Sequence, residues 1–243
     1  GSEAGLAQFR EFLDLKPAAK PFFLQLCSND PHRPLNTHGP VKHDPAKITL
    51  PSHYPDTQLV REDFARYYDE IAHFDVFFGE VMAELEKRGL AANTLVAFMG
   101  DNGASQFRGK GTLYEFGIRV PLLVRWPGKI KAASSCVDLV DLSDFFPTLC
   151  ELTGAKLPDV MIHGRSFAPQ LLGKPGQPRE WIHIQNANSR QVRDREFMLN
   201  NKGELRRVGE LWEDPARLDA NADSAKEAAA RKKLQAVFDN LGE

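Results

Sequence analysis

Thr94-Leu95-Val96-Ala97-Phe98-Met99-Gly100-Asp101-Asn102-Gly103 is the stretch on which the fold of this chain turns. Its first six residues are apolar and rich in β-prone side chains, and Gly100 and Gly103 punctuate their end. That pattern predicts a buried strand delivering Asp101 and Asn102 at its carboxyl end, where open α/β sheets place their sites. An Asp beside an Asn offers two hard oxygen donors of the kind Ca²⁺ or Mg²⁺ prefers. Lys110 follows, flanked by Gly109 and Gly111. Glycine lets a backbone approach a ligand closely, and an ammonium is a point charge suited to an anion's oxygen. A metal pair plus a lysine points to an enzyme that holds a sulfate or phosphate ester. An isolated Asp-Asn-Gly more often marks a turn, and a lone lysine is usually a solvated surface group. The strand before and the glycine-flanked lysine after favour the site.

Outward from this stretch the periodicities alternate. Leu6, Phe9, Phe12 and Leu13 have helical spacing and predict a helix over 4–15 that ends before Pro17. Pro21 to Cys27 reads as a buried strand. Residues 28–56, dense in Pro, His, Asn and Asp, make a segment too long for a simple connector, of a length that is usually functional or disordered. A long helix is expected from Gln58 to about Arg88, with Phe64, Tyr67, Tyr68, Ile71, Phe74, Phe78, Val81 and Leu85 as its apolar face and Gly89 as its stop. Arg119 to Arg125 reads as a strand closed by Pro127-Gly128, and Leu142 to Thr153 as a helix capped by Gly154. Strand–helix–strand alternation argues for an α/β fold with a parallel-rich sheet and helices on its faces. Gly173-Lys174-Pro175-Gly176-Gln177-Pro178 is the expected boundary, giving domains 1–175 and 176–243, the second a small α+β unit. In it, Trp181 to Gln185 and Glu196 to Leu199 read as short strands, Asn200-Asn201-Lys202-Gly203 as a hairpin turn and Asp223 to Leu241 as a charged helix.

Four groups of residues, in order over roughly 20–175, resemble the second half of a sulfatase of the arylsulfatase type, within the alkaline-phosphatase superfamily. They are Pro21-Phe22-Phe23-Leu24 with Pro31-His32-Arg33-Pro34; Asp101-Asn102-Gly103 with Gly109-Lys110-Gly111-Thr112-Leu113-Tyr114-Glu115 and Gly117-Ile118-Arg119-Val120-Pro121; Asp141-Leu142 with Phe146-Pro147-Thr148-Leu149; and His163-Gly164-Arg165-Ser166. Gly100 stands where that family usually has Ser or Thr, and Phe116 where it usually has Gly. Neither departure removes a ligand. The resemblance implies an alkaline-phosphatase-like sheet flanked by helices and hydrolysis of a sulfate ester or sulfamate. It implies Asp101 and Asn102 as metal ligands, Lys110 as a sulfate-contacting lysine and His32 as the group that assists the leaving group. Imidazole titrates near neutrality and suits that last task. The stretch from Asp44 to Thr57 is similar to sulfatases of sulfated sugars, including those that cleave N-sulfoglucosamine.

The family's Cys-x-Pro-Ser-Arg type motif, whose Cys or Ser becomes formylglycine, does not occur: Cys27-Ser28-Asn29-Asp30-Pro31 departs from it, and Cys136 and Cys150 fit no better. The chain therefore reads as a C-terminal portion without its nucleophile, and by itself is expected to be inactive and to self-associate through apolar surface left uncovered. Gly1-Ser2 resembles a cleavage scar. A phosphomonoester or phosphonate hydrolase of the same superfamily, or a non-catalytic anion-binding fragment, stay open as alternatives. His38, His43 and His53 are expected as surface residues of the long loop, Glu115 and Arg119 as an ion pair holding the lysine loop, and Asp75 and Arg33 in structural or surface roles.

A content of 42% hydrophobic and 26% charged residues over 243 positions is that of a soluble globular protein able to bury a core. The net charge of −2 gives no electrostatic case for nucleic acid or an anionic membrane surface. No apolar run approaches the roughly 20 residues that span a bilayer. The expected partner is a sulfated small molecule or saccharide. Three cysteines make no disulfide framework. Localisation is not readable from these features, and only the resemblance suggests a periplasmic or secreted protein.

Overall fold

The computed structural model describes residues 2–35, 39–210 and 213–241, so His38 lies outside the described residues. The chain divides into two compact units, residues 1–95 and 96–243.

The first unit is built on α1 (Ser2–Leu15) and α2 (Gln58–Lys87), which pack on each other. Leu6, Phe9 and Leu13 of α1 and Phe77, Val81 and Leu85 of α2 are buried at intervals of three or four residues, the period of one helix face. Each such side chain contributes about 1.5–3 kcal/mol when fully buried. Phe77, not anticipated from the sequence, belongs to this face. Ile71 lies about 120° round the helix from it and is 39% exposed. At the rim Arg88 reaches Glu84 at 2.7 Å and Asp14 at 2.6 Å, and Arg10 reaches Glu84 at 3.3 Å.

Both ends of α2 have local causes. The Thr57 hydroxyl accepts the Val60 N–H at 3.3 Å. At the other end Gly89, at φ +67°, lets its own N–H reach the Glu86 carbonyl and the Leu90 N–H reach Leu85. Thr57→Ala is expected to cost about 1 kcal/mol of stability, read as a lower urea midpoint at unchanged slope; an unchanged midpoint would show that the cap contributes nothing.

Within the loop segment, Pro45–Lys47 forms a short 3₁₀ turn capped by the Asp44 carboxylate. Arg61 of α2 donates to the carbonyls of Pro45, Ala46 and Ile48 at 3.2, 3.4 and 2.9 Å. Ile48 is buried with Phe64 and Ala65, so this part of the loop is pinned to the helix. Pro21 to Cys27 is not a buried strand. It has no ladder partner among the described residues, and Phe23 is 75% exposed. An extended apolar segment becomes a strand only where another backbone takes up its hydrogen bonds.

The second unit contains β1 (Val96–Met99), α3 (Glu115–Ile118), β2 (Leu122–Arg125), α4 (Phe145–Thr153), α5 (Ala168–Leu171), β3 (Ile182–Asn186), β4 (Ser189–Arg193), β5 (Phe197–Asn200), β6 (Leu205–Arg207) and α6 (Ala225–Leu241). β1 and β2 pair antiparallel, from Val96 opposite Arg125 to Met99 opposite Leu122. β3 to β6 form an antiparallel sheet in chain order. The parallel-rich pairing expected from the sequence is thus not found among the described residues. A parallel return needs a crossover element such as a long helix, whereas β1 and β2 are joined by an irregular loop whose only helix is the four-residue α3.

Val192, Phe197, Leu199 and Leu205 of the four-stranded sheet bury against Ala230, Leu234 and Val237 of α6. The strands near Trp181 and Glu196, the turn at 200–203, the final helix and the Gly154 cap of α4 (φ +73°) lie where the sequence places them. β4 was not foreseen, whereas β6 completes the hairpin that the turn at 200–203 implies. β4 enters through a two-residue turn, Ala187-Asn188, with Ala187 at φ +49°, which lacks the Asn-Gly or Asp-Gly signal of such turns. No helix among the described residues is long and apolar enough to cross a membrane.

Candidate functional site

Asp101 and Asn102 follow β1 directly, and the Gly100 N–H, bonded to the Pro121 carbonyl at 3.1 Å, extends the β1–β2 pairing to their threshold. A Cβ at Gly100 would lie 3.2 Å from Pro121 Cδ and 3.3 Å from Val120 Cβ, a tight fit that a side chain meets only if these neighbours give by a few tenths of an ångström. The loop then closes on itself. The Gly103 N–H meets the Gly117 carbonyl at 3.1 Å, and the Lys110 N–H meets the Ala104 carbonyl at 2.7 Å. At Gly103 a Cβ would collide with the Phe116 carbonyl, and at Gly109 with that of Ala104. Glycine is therefore required for the two limbs to touch. The Thr112 hydroxyl lies 2.8 Å from the Arg108 carbonyl and 2.7 Å from that of Gly109.

This compact loop brings Asp101, Asn102 and Lys110 into one piece of structure. Asp101 and Lys110 are exposed and Asn102 half-buried. Asp101 and Asn102 fit a hard divalent cation in chemistry but not in number. Such an ion takes six or more oxygens, and among the described residues no three His, Cys, Asp or Glu side chains gather to hold one.

His32 lies in the first unit, exposed, with Nδ1 2.7 Å from the Arg33 carbonyl. A carbonyl only accepts, so Nδ1 carries the hydrogen and Nε2 is left to take up or release a proton. Arg33 grips Asp63 with both guanidinium nitrogens. His43, with Asp69 2.6 Å away, and His73, with Asp30 2.6 Å away, line one cleft with Lys42, Arg66 and Glu70. His53 packs on Tyr54 with ring centres 4.7 Å apart and the ring planes tilted by 45°.

The Arg119 N–H donates to the Glu115 backbone carbonyl at 2.8 Å and its charge acts on the Glu115 carboxylate, but the side chain that hydrogen-bonds this carboxylate is another arginine. The buried Glu115 carboxylate accepts from Arg193 of β4, a residue that no local signal singles out. Burial pushes the Glu115 carboxyl up, against the opposing charges of Arg193 and Arg119 and the Arg193 hydrogen bond.

A second buried carboxylate, Asp144, organises the remaining motifs. Its oxygens accept from Arg179 (2.7 and 2.9 Å from Nε), the Arg165 N–H (2.7 Å) and the Asp141 N–H (2.9 Å). Arg179 also reaches the His163 carbonyl at 2.9 Å. The Thr148 hydroxyl donates to the Asp144 carbonyl and accepts the Phe167 N–H. The Asp141, Pro147-Thr148 and Gly164-Arg165 motifs thus form a structural latch.

Residues 2–155 match the sulfatase family model, and residues 103–240 match the model described as N-sulphoglucosamine sulphohydrolase, C-terminal. The chain is 34% identical to human (Homo sapiens) arylsulfatase A over 160 residues, covering 58% of the chain and 31% of that enzyme. A phosphonate monoester hydrolase from Silicibacter pomeroyi has a TM-score of 0.69 at 21% identity, over 98% of this chain and 58% of its own. BT4656, solved in complex with its substrate D-glucosamine-2-N,6-O-disulfate, has a TM-score of 0.56 at 22% identity, over 77% of this chain and 42% of its own. These two likenesses show the alkaline-phosphatase-like fold. The chain spans about a quarter to a third of the length of the first curated relatives it matches, 26% and 31%. With two family models that each match more than half of it, the chain belongs to the sulfatase family.

Proposed function

We propose that the protein containing this chain hydrolyses the sulfate ester or sulfamate of a saccharide, and that this chain contributes the half of the site that holds the sulfonyl group. What supports the reading is the glycine-locked loop on which Asp101, Asn102 and Lys110 all lie, in a chain that matches the N-sulphoglucosamine sulphohydrolase C-terminal model. Asp101 and Asn102 would hold an ion, which we read as Ca²⁺, with further oxygens from outside the described residues. When bound, it would polarise the sulfonyl oxygens. Lys110 would place an ammonium on a sulfonyl oxygen where negative charge grows. His32 would release a proton from Nε2 to the departing oxygen or nitrogen, which requires it to converge on the same pocket. Nucleophilic attack on sulfur is the chemistry a formylglycine would supply, and the chain by itself is expected not to turn over. We read residues 176–243 as a C-terminal subdomain whose sheet and helix share their own core. The exposed Phe23, Leu123 and Met161 favour self-association of the isolated chain.

The test is a substrate panel with the complete protein: N-sulfated and O-sulfated glucosamines, an aryl sulfate, a phosphomonoester and a phosphonate monoester. The expected result is sulfate release, fastest from a sulfated sugar. Turnover confined to the phosphorus esters would replace this reading with phosphoryl chemistry, and small aryl sulfates as the only substrates would remove the saccharide.

A further inference from the structure

The loop bearing Lys110 does not stand alone. Asn186, at the end of β3, donates its side-chain N–H to the Gly111 carbonyl. Arg193, at the end of β4, pairs with Glu115, and both side chains are largely buried. Val192 faces the core shared with α6, so Arg193 projects from the opposite face of the sheet. A third tie runs from Arg108 to Asp214 at 3.1 Å, and Asp214 is also paired with Arg206 of β6 at 3.0 Å. The Arg108 guanidinium lies 4.9 Å from the centre of the Tyr114 ring, inside the same loop. Lys110 is therefore bracketed at residues 108, 111 and 115 by three polar ties to the 186–214 region.

From this geometry we infer that Asn186, Arg193 and Asp214 are positioning residues for Lys110, and that the four-stranded sheet sets the reach of its ammonium. The inference rests on the sulfonyl-holding role proposed for Lys110. The loop's internal hydrogen bonds, among them the Lys110 N–H to the Ala104 carbonyl and the Thr112 hydroxyl to the Arg108 and Gly109 carbonyls, fix its local shape, and the three ties set where that shape stands against the sheet. A long, flexible lysine stem loses effect quickly when its backbone shifts, and a displacement of about 1 Å in a catalytic group can cost on the order of 10²-fold. Asn186 is exposed, so its truncation removes a tie without opening a core. The Glu115–Arg193 pair is buried, and breaking it leaves an unpaired charge.

The experiment is a double-mutant cycle in the complete protein, following sulfate release. Asn186→Ala is expected to lower kcat by about 10-fold or more, with KM moving much less and an unchanged thermal midpoint. Arg193→Ala is expected to act in the same direction, and Arg193→Lys to restore part of the loss because it keeps the charge without the planar fork. In a Lys110→Ala background, Asn186→Ala should change kcat little further, because both substitutions remove the same aimed ammonium. Amide exchange at Gly109, Lys110 and Gly111 should speed up in Asn186→Ala, a readout that needs no turnover. Multiplicative losses in the cycle, or an Asn186→Ala enzyme with native kcat and native exchange, would overturn the positioning role. A Lys110→Ala enzyme as active as the parent would instead bring down the role given to Lys110, and this inference with it.

Discussion

Asp144→Asn is expected to lower the stability of the 96–243 unit by about 3–5 kcal/mol, the usual cost of breaking a buried, hydrogen-bonded ion pair from one side. The carboxylate is almost wholly buried and meets Arg179 and the N–H groups of Arg165 and Asp141. An amide keeps the shape, loses the charge and presents an N–H where two acceptor positions are needed. Burial pushes the Asp144 carboxyl up, but the hydrogen bonds from Arg179, Arg165 and Asp141 outweigh it and hold the group below its ordinary value. A depressed folded pKa contributes stability that is present above the unfolded value of about 3.9 and lost as pH falls through the folded value. The gap between parent and Asp144→Asn should therefore stay constant from neutral pH to about pH 5 and narrow only below it. Urea unfolding of both proteins across that range measures this. A gap under 1 kcal/mol at pH 7, or one that closes between pH 7 and 5, would show that the latch is not what holds these motifs.

Lys110→Ala in the complete protein is expected to lower kcat by about 10²–10³-fold, the range seen when one preorganised donor to a developing oxyanion is removed. Stability should barely move, because Lys110 is exposed and its backbone bond to Ala104 survives the substitution. Lys110→Arg should not rescue fully, since a planar fork replaces a compact point charge. The measurement is steady-state sulfate release beside a thermal unfolding curve. A loss confined to KM would mean that Lys110 binds the ground state and the transition state equally.

How much of this was legible in the residues depends on the range of the interaction. α2 could be read because its signals are local: Thr57 before it, Gly89 after it and a 3.6-residue repeat between them. The Asp101–Asn102 turn and the glycine-flanked lysine were legible for the same reason, and so was the cap at Gly154. Partners far along the chain were not. Glu115 was assigned to Arg119, the residue that ends the short helix, but the side-chain partner of its carboxylate, Arg193, comes from β4, a strand whose entry turn carries no glycine. Asp144 and Arg179 are likewise far apart in sequence and look like two ordinary charges until the fold buries them together. Pro21 to Cys27 failed in the other direction. Its composition is that of a strand, but composition does not reveal whether another backbone lies beside it.

The most direct measurement is a crystal structure of the complete protein soaked with Ca²⁺ and sulfate. An ion is expected about 2.3–2.6 Å from the side-chain oxygens of Asp101 and Asn102. A sulfate oxygen is expected within roughly 3 Å of the Lys110 ammonium, with His32 facing the same anion. An ion bound without either residue, or a sulfate held elsewhere while Lys110 points into solvent, would contradict the role proposed for these residues.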